Sequence, residues 1–177
     1  SQKPGCGFPL LKLVGIFSLA SGALRADARG NKHQHELSLL HGLWKGLLQA
    51  GDLLLGDRGF GDYATLALLG EKGVLGLFRL HQARRSDLRQ GKRLGPQDRL
   101  LIWRKPWYRP RYLSQKIWKA LPPTLTVRMV RFRIQERGFR SQQIVLITTL
   151  LDASRYPREA LAALYRRRLR IELWFRD

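Results

Sequence analysis

The stretch GDLLLGDRGFGDYATLALLGEKGVLGLFRL, residues 51–80, decides the fold. Its apolar run 53–55 is short and bounded by Gly-Asp pairs, as expected of a strand that is buried on both faces. Asp62 can cap a following helix that Gly73 ends, and residues 74–80 resume as a strand. The stretch therefore predicts a β-α-β unit and an α/β fold class.

Two acids stand out as candidate metal ligands. Asp57 follows the first predicted strand, and sites in open α/β sheets form outside the carboxyl ends of strands. A turn or capping role is the alternative for this residue. Glu172 lies in a helix predicted to begin at Pro157, where its spacing puts it on one face with Tyr165 and Arg168. Because its neighbours are strongly apolar, Glu172 needs either that arginine or a cation as partner.

Strands and helices are also predicted on both sides of the β-α-β unit. Residues 10–20 and 23–28 read as two strands joined by a tight turn, and 36–49 have the apolar spacing of an amphipathic helix. Residues 144–147 form a predicted central strand. In 124–134 the apolar alternation slips by one residue, which predicts a β-bulge. The slip leaves three arginines on exposed sides: Arg128, Arg131 and Arg133.

The chain is strongly basic, with 33 Lys and Arg against 13 Asp and Glu and a formal net charge of +20. A nucleic acid is the economical partner for such a charge. The alternative, a solvated basic surface of ribosomal type, usually comes with less buried-type sequence than the 44% hydrophobic content here. A single cysteine, Cys6, excludes an internal disulfide and fits a reducing cytoplasm.

Other segments indicate what the protein does not do. The longest uncharged early run, 13–24, is far shorter than the roughly 20 residues that span a bilayer, so no membrane association is expected. His33, His35 and His41 lack further clustered ligands and are expected in a polar loop and a helix start. The aromatic and basic stretch 103–118 either forms a small core or stacks on exposed bases.

The motifs around these acids resemble the insertion sequence 4 family of Asp-Asp-Glu transposases. Gly56 to Phe60, after an apolar strand, looks like the family's second catalytic Asp. The terminal helix is similar to the family signature of Tyr, two residues, Arg, three residues, Glu, six residues, Lys. Tyr165, Arg168 and Glu172 fit it, and the Lys would fall two residues past the end. Residues 7–14 and 148–164 also look like the family.

This resemblance implies a ribonuclease H-like fold with a β-rich insertion, here 81–140, within a partial catalytic domain, 1–177. It implies DNA cleavage and strand transfer with two Mg²⁺ or Mn²⁺ ions bound by Asp57 and Glu172. The family's first Asp has no match, and we expect a chain that begins inside a longer polypeptide and is inactive alone. DNA contacts are expected from six residues: Arg58, Arg128, Arg131, Arg133, Tyr165 and Arg168.

The expected partner is double-stranded DNA at transposon ends, bound by a homodimer in the bacterial nucleoid. Two other functions stay open. A non-catalytic basic DNA-binding module would need neither acid, whereas a metal site needs both. The chain would otherwise be the remnant of a decayed mobile element.

Overall fold

A computed structural model of the chain describes residues 11–81, 87–134 and 142–174. The chain divides into two compact units, 1–47 and 48–177. The second unit contains the β-α-β stretch and the helix that bears Glu172.

The first unit is a β-hairpin followed by a helix. Strands β1 (Leu11–Phe17) and β2 (Leu24–Asn31) pair antiparallel, and the turn between them uses Gly22 at a φ of 73°. Both strands are thus confirmed. The helix α1 (Glu36–Leu43) is shorter than predicted, since the chain leaves it at Trp44 into turns. Two glycines nearby, at positions 42 and 46, have low helix propensity, which accounts for the early end.

The second unit is built on one six-stranded mixed sheet of order β3-β4-β8-β7-β6-β5. Strands β3 and β4 are parallel and joined by α2, which confirms the β-α-β unit, and the remaining neighbours are antiparallel. The bounds are β3 Leu53–Gly56, α2 Tyr63–Glu71, β4 Leu75–Arg79, β5 Lys92–Gly95, β6 Asp98–Arg104, α3 Gln115–Ala120, β7 Thr124–Ile134, β8 Gln142–Thr148 and α4 Arg158–Trp174.

Helices cover both faces of this sheet. Leu77 belongs to the core cluster that contains Leu161 and Tyr165 of α4. Successive side chains of a strand point to opposite faces, so Gly76 and Phe78 face away from α4. A Cβ added at Gly76 would lie 2.9 Å from Leu66 Cδ2, which shows that α2 packs closely on that side. A second cluster on α2 and α3 includes Tyr63 and Trp118.

Strand β7 departs from its prediction in one respect, because no bulge interrupts it. Its pairing runs without a register shift from Thr124 to Val130 against β6 and from Arg128 to Ile134 against β8. The apolar pattern slips because residues 127–130 are buried on both faces. A strand that is covered by helices on both faces need not alternate apolar with polar residues.

The segment 81–140 supplies β5, β6 and β7, which extend the sheet beyond β8. It is therefore β-rich within its described part, although α3 also lies in it. Residues 82–86 and 135–140 of this segment lie outside the described residues. Its role as an insertion with those boundaries stays a prediction.

Candidate active site

Asp57 is half-buried and directly follows β3, as the sequence predicted. Its carbonyl oxygen accepts a hydrogen bond of 3.0 Å from the amide of Phe60, which turns the chain sharply. Two glycines let the turn pack on the ring of Phe78: a Cβ at Gly56 would lie 2.7 Å from Phe78 Cδ1, and one at Gly61 2.5 Å from Phe78 Cβ. The local sequence thus fixes where the Asp57 carboxylate is presented.

The far end of this loop is anchored by Asp62. Its carboxylate caps α2 by accepting a 2.8 Å hydrogen bond from the amide of Thr65, which confirms the predicted cap. The hydroxyl of Tyr112 donates to the other carboxylate oxygen. Burial, and then the adjacent Asp62 charge, raise the pKa of Tyr112 above its ordinary value. Tyr63 adds a hydrogen bond of 2.7 Å from its hydroxyl to the carbonyl of Pro122.

The helix α4 reaches Asp57 through Tyr165. The phenol is fully buried, and its Oη lies 3.4 Å from Asp57 Oδ1, the length of a weak hydrogen bond. The guanidinium of Arg168 lies over the Tyr165 ring, 5.5 Å from its centroid. The buried phenol therefore contacts Asp57, while its predicted DNA contact stays a prediction.

Glu172 lies in the same helix, seven residues beyond Tyr165 and so about two turns further along the same face. Its side chain lies outside the described residues. The predicted approach of the Asp57 and Glu172 carboxylates therefore stays a prediction. What the structure adds is that the helix bearing Glu172 touches Asp57 through Tyr165.

Of the arginines predicted to bind DNA, Arg133 is exposed, whereas Arg58, Arg131 and Arg168 are half-buried. The prediction that Arg128 lies on an exposed side is wrong, because its side chain is fully buried. It shares the α4 face of β7 with Val130, a member of the α4 core cluster. Its charge is met by protein groups, so Arg128 is not a DNA contact.

The partner of Arg128 is Asp98, at the start of β6. The two side chains pair in a bidentate manner, with Nε to Oδ1 at 2.9 Å and Nη2 to Oδ2 at 2.6 Å. Asp98 is not among the site residues predicted from the sequence. The available signal was a lone acid among basic residues at the start of a strand, which needs a cation if it is buried.

The aromatic stretch is partly core and partly exposed, and its predicted stacking on bases stays a prediction. Trp118 is buried in the α2–α3 cluster at 70° to the ring of Tyr63, so part of the stretch is core. Trp107 and Tyr108 are 93% and 58% exposed, and Trp107 lines a surface groove of about 650 Å³ with Arg104 and other residues. Two histidines follow their prediction, since His33 lies in the turn before α1 and the imidazole of His35 caps this helix, whereas His41 is buried in its last turn.

Within residues 11–81, 87–134 and 142–174, no group of three or more His, Cys, Asp or Glu side chains is arranged to hold a metal ion. The same described residues include no helix that is both long and apolar enough to cross a membrane.

A mixed sheet covered by helices on both faces, with an acid at a strand end contacted by a helix, is consistent with a ribonuclease H-like fold. The family model described as "Transposase DDE domain" matches residues 1–177. The chain therefore belongs to the transposase DDE domain family, and DNA transposition is the family's function. No curated protein matches it.

Proposed function

We propose that this domain acts in metal-dependent phosphodiester hydrolysis and strand transfer at transposon ends, as a member of the insertion sequence 4 group. The observation that carries the proposal is the contact between Asp57, at the end of β3, and Tyr165 of α4. It supports a site in which an acid from the sheet and an acid from the last helix, Glu172, act together.

Asp57 and Glu172 are the right type of residue to bind divalent cations, but two carboxylates are too few for two ions. Carboxylate oxygens are the ligands that Mg²⁺ and Mn²⁺ prefer. Two such ions carry +4, while Asp57 and Glu172 supply −2. In the family that this chain resembles, a third carboxylate, the first Asp, completes the ligand set, and it has no match in this sequence. When bound, the ions activate the attacking oxygen and stabilise the leaving oxygen on phosphorus.

The chain's own residues hold and orient these ligands. The Tyr165 hydroxyl faces Oδ1 of Asp57, so it fixes the rotation of the carboxylate and leaves the other oxygen for a cation. Arg168, over the Tyr165 ring, presents a positive charge on the same helix face as Glu172. Its charge suits the phosphate next to the bond that is cut.

The DNA partner follows from the charge. A formal charge of +20 favours a duplex, and each phosphate contact releases condensed counterions. Arg58, Arg131, Arg133 and Arg168 are proposed as phosphate contacts, and Arg128 is withdrawn because it is buried in an ion pair. We place the protein in the bacterial cytoplasm at the nucleoid, as a homodimer on transposon ends.

The test is a transposon-end cleavage assay with Mg²⁺ or Mn²⁺. It compares the 177-residue chain with an extended protein, in which a strand bearing the family's first Asp is fused ahead of Ser1. The extended protein should cleave, and the 177-residue chain should not. In the extended protein, Asp57→Asn and Glu172→Gln should each abolish cleavage.

The matched control is Asp52→Asn, at the opposite end of β3, where the side chain only accepts a 2.8 Å hydrogen bond from Gln49. It should leave cleavage unchanged. DNA affinity measured in EDTA should survive all three substitutions, because removing an acid from a basic protein does not weaken phosphate attraction. Cleavage by the short chain, or by the Asp57→Asn protein, would overturn the proposal. An extended protein that binds DNA but never cuts it would support the binding-module or decayed-element alternative.

A further inference from the structure

The Arg128 guanidinium joins three parts of the second unit at one buried point. Besides its bidentate pair with Asp98 of β6, its Nη1 donates to the carbonyl of Tyr156 at 2.7 Å and to that of Leu150 at 3.3 Å. These carbonyls lie at the two ends of the loop between β8 and α4. One side chain of β7 therefore ties β6 to the start of α4.

The loop that Arg128 holds leads directly into the helix that contacts Asp57. The start of this loop is also held by β4, since the Thr149 amide donates a hydrogen bond of 3.0 Å to the Gly76 carbonyl. The helix begins two residues after Tyr156, and from Arg158 to Tyr165 it advances seven residues, or about 10 Å. A small shift at the held end therefore moves the phenol relative to Asp57.

We propose that Arg128 and Asp98 form a positioning clamp, which sets the start of α4 and, through Tyr165, the placement of the acids on this helix and β3. Because Arg128 is fully buried and paired within the protein, it is a positioning residue rather than a catalytic one. The inference rests on the proposed function, because its consequence is a rate of DNA cleavage. The clamp also makes the strand β6 of the β-rich segment part of the frame of the active site.

The test uses the extended protein and measures two quantities, the single-turnover cleavage rate and the DNA dissociation constant in Ca²⁺. Arg128→Lys keeps the charge beside Asp98 but removes the planar fork that reaches both loop carbonyls. We expect the cleavage rate to fall about 10- to 100-fold, the range seen when supporting groups around metal ligands are removed. DNA affinity should stay within about twofold, because Arg128 is buried away from DNA.

The matched control is Arg99→Lys on β6. Arg99 also donates from its guanidinium to backbone carbonyls, those of Leu88, Gly95 and Asp98, but none of them belongs to the α4 loop. This variant should cleave at the wild-type rate. A merely structural role of Arg128 predicts instead that cleavage falls only as far as the folded fraction does, with an unchanged rate in the folded protein.

A second variant, Arg128→Met with Asp98→Leu, removes the clamp without leaving a lone buried charge, and so keeps the test usable if Arg128→Lys misfolds. Hydrogen exchange should show lost protection in the first turn of α4 and unchanged protection in β7 and β8. Wild-type cleavage by either folded variant would overturn the clamp. Absence of cleavage by the unmutated extended protein would instead overturn the proposed function, so the two failures are distinguishable.

Discussion

The sharpest stability prediction concerns the buried pair of Arg128 and Asp98. The two side chains are 0% and 6% exposed, so neither charge is solvated by water when its partner is removed. Breaking such a pair from one side costs about 3–5 kcal/mol. We therefore expect Arg128→Met and Asp98→Leu each to lower the free energy of unfolding by that amount.

The double variant should be far milder than the sum of the two single variants. It loses the hydrogen bonds to Leu150 and Tyr156, and a buried carbonyl without a donor costs about 1–3 kcal/mol. Replacing a buried ion pair with apolar side chains recovers about 1–4 kcal/mol, because the charges no longer need to be dehydrated. The double variant should stay within about 2 kcal/mol of wild type, with a coupling energy of at least about 3 kcal/mol.

The assay is urea unfolding followed by tryptophan fluorescence, with Trp118 reporting on the second unit. The control is the same pair of substitutions at Arg89 and Asp87, a surface ion pair in which the arginine side chain is 91% exposed. It should leave the urea midpoint unchanged, since exposed pairs contribute little. Single variants at Arg128 or Asp98 as stable as wild type, or additive effects in the double variant, would refute this reasoning.

Three further predictions concern other parts of the fold. Gly61→Ala should destabilise by about 1–3 kcal/mol in the same assay, because its Cβ meets the buried Phe78, whereas Gly59→Ala, with nothing within 4 Å, should not. Trp107→Phe should reduce the fraction of tryptophan fluorescence that iodide quenches, because this indole is 93% exposed; unchanged quenching would contradict its exposure. Arg133→Gln should reduce the salt dependence of DNA binding by about one phosphate contact, a slope change of about 0.9 in mobility shifts at several salt concentrations, and an identical slope would exclude the contact.

The elements that the sequence predicts well are those with local signals. The run 53–55, the cap at Asp62 and the stop at Gly73 each follow from residues within a few positions, and all lie where they were expected. Pro157 likewise marks the start of α4, because its fixed φ suits the first helical turn. The position of Asp57 could be predicted because this residue directly follows β3, and the same local signals mark where β3 ends.

The errors come from contacts that no local pattern encodes. In β7 the one-residue slip has two readings, a bulge or a strand buried on both faces, and only the helices packed on each face decide between them. Arg128 then looks exposed because its acid, Asp98, is 30 residues away in the chain. The contact between Tyr165 and Asp57 spans 108 residues and is equally invisible to spacing arguments.

The two buried contacts differ in a way that bears on what each acid can do. Asp98 is held by a guanidinium through two hydrogen bonds, so its charge is used within the fold. The hydrogen bond that reaches Asp57 from α4 comes instead from a neutral phenol, which orients the carboxylate and adds no positive charge. In a chain of net charge +20, an acid that binds Mg²⁺ must not already be neutralised by an ion pair with an arginine. A tyrosine at position 165 fits the metal role proposed for Asp57, since its neutral hydroxyl contacts the carboxylate without competing with a cation.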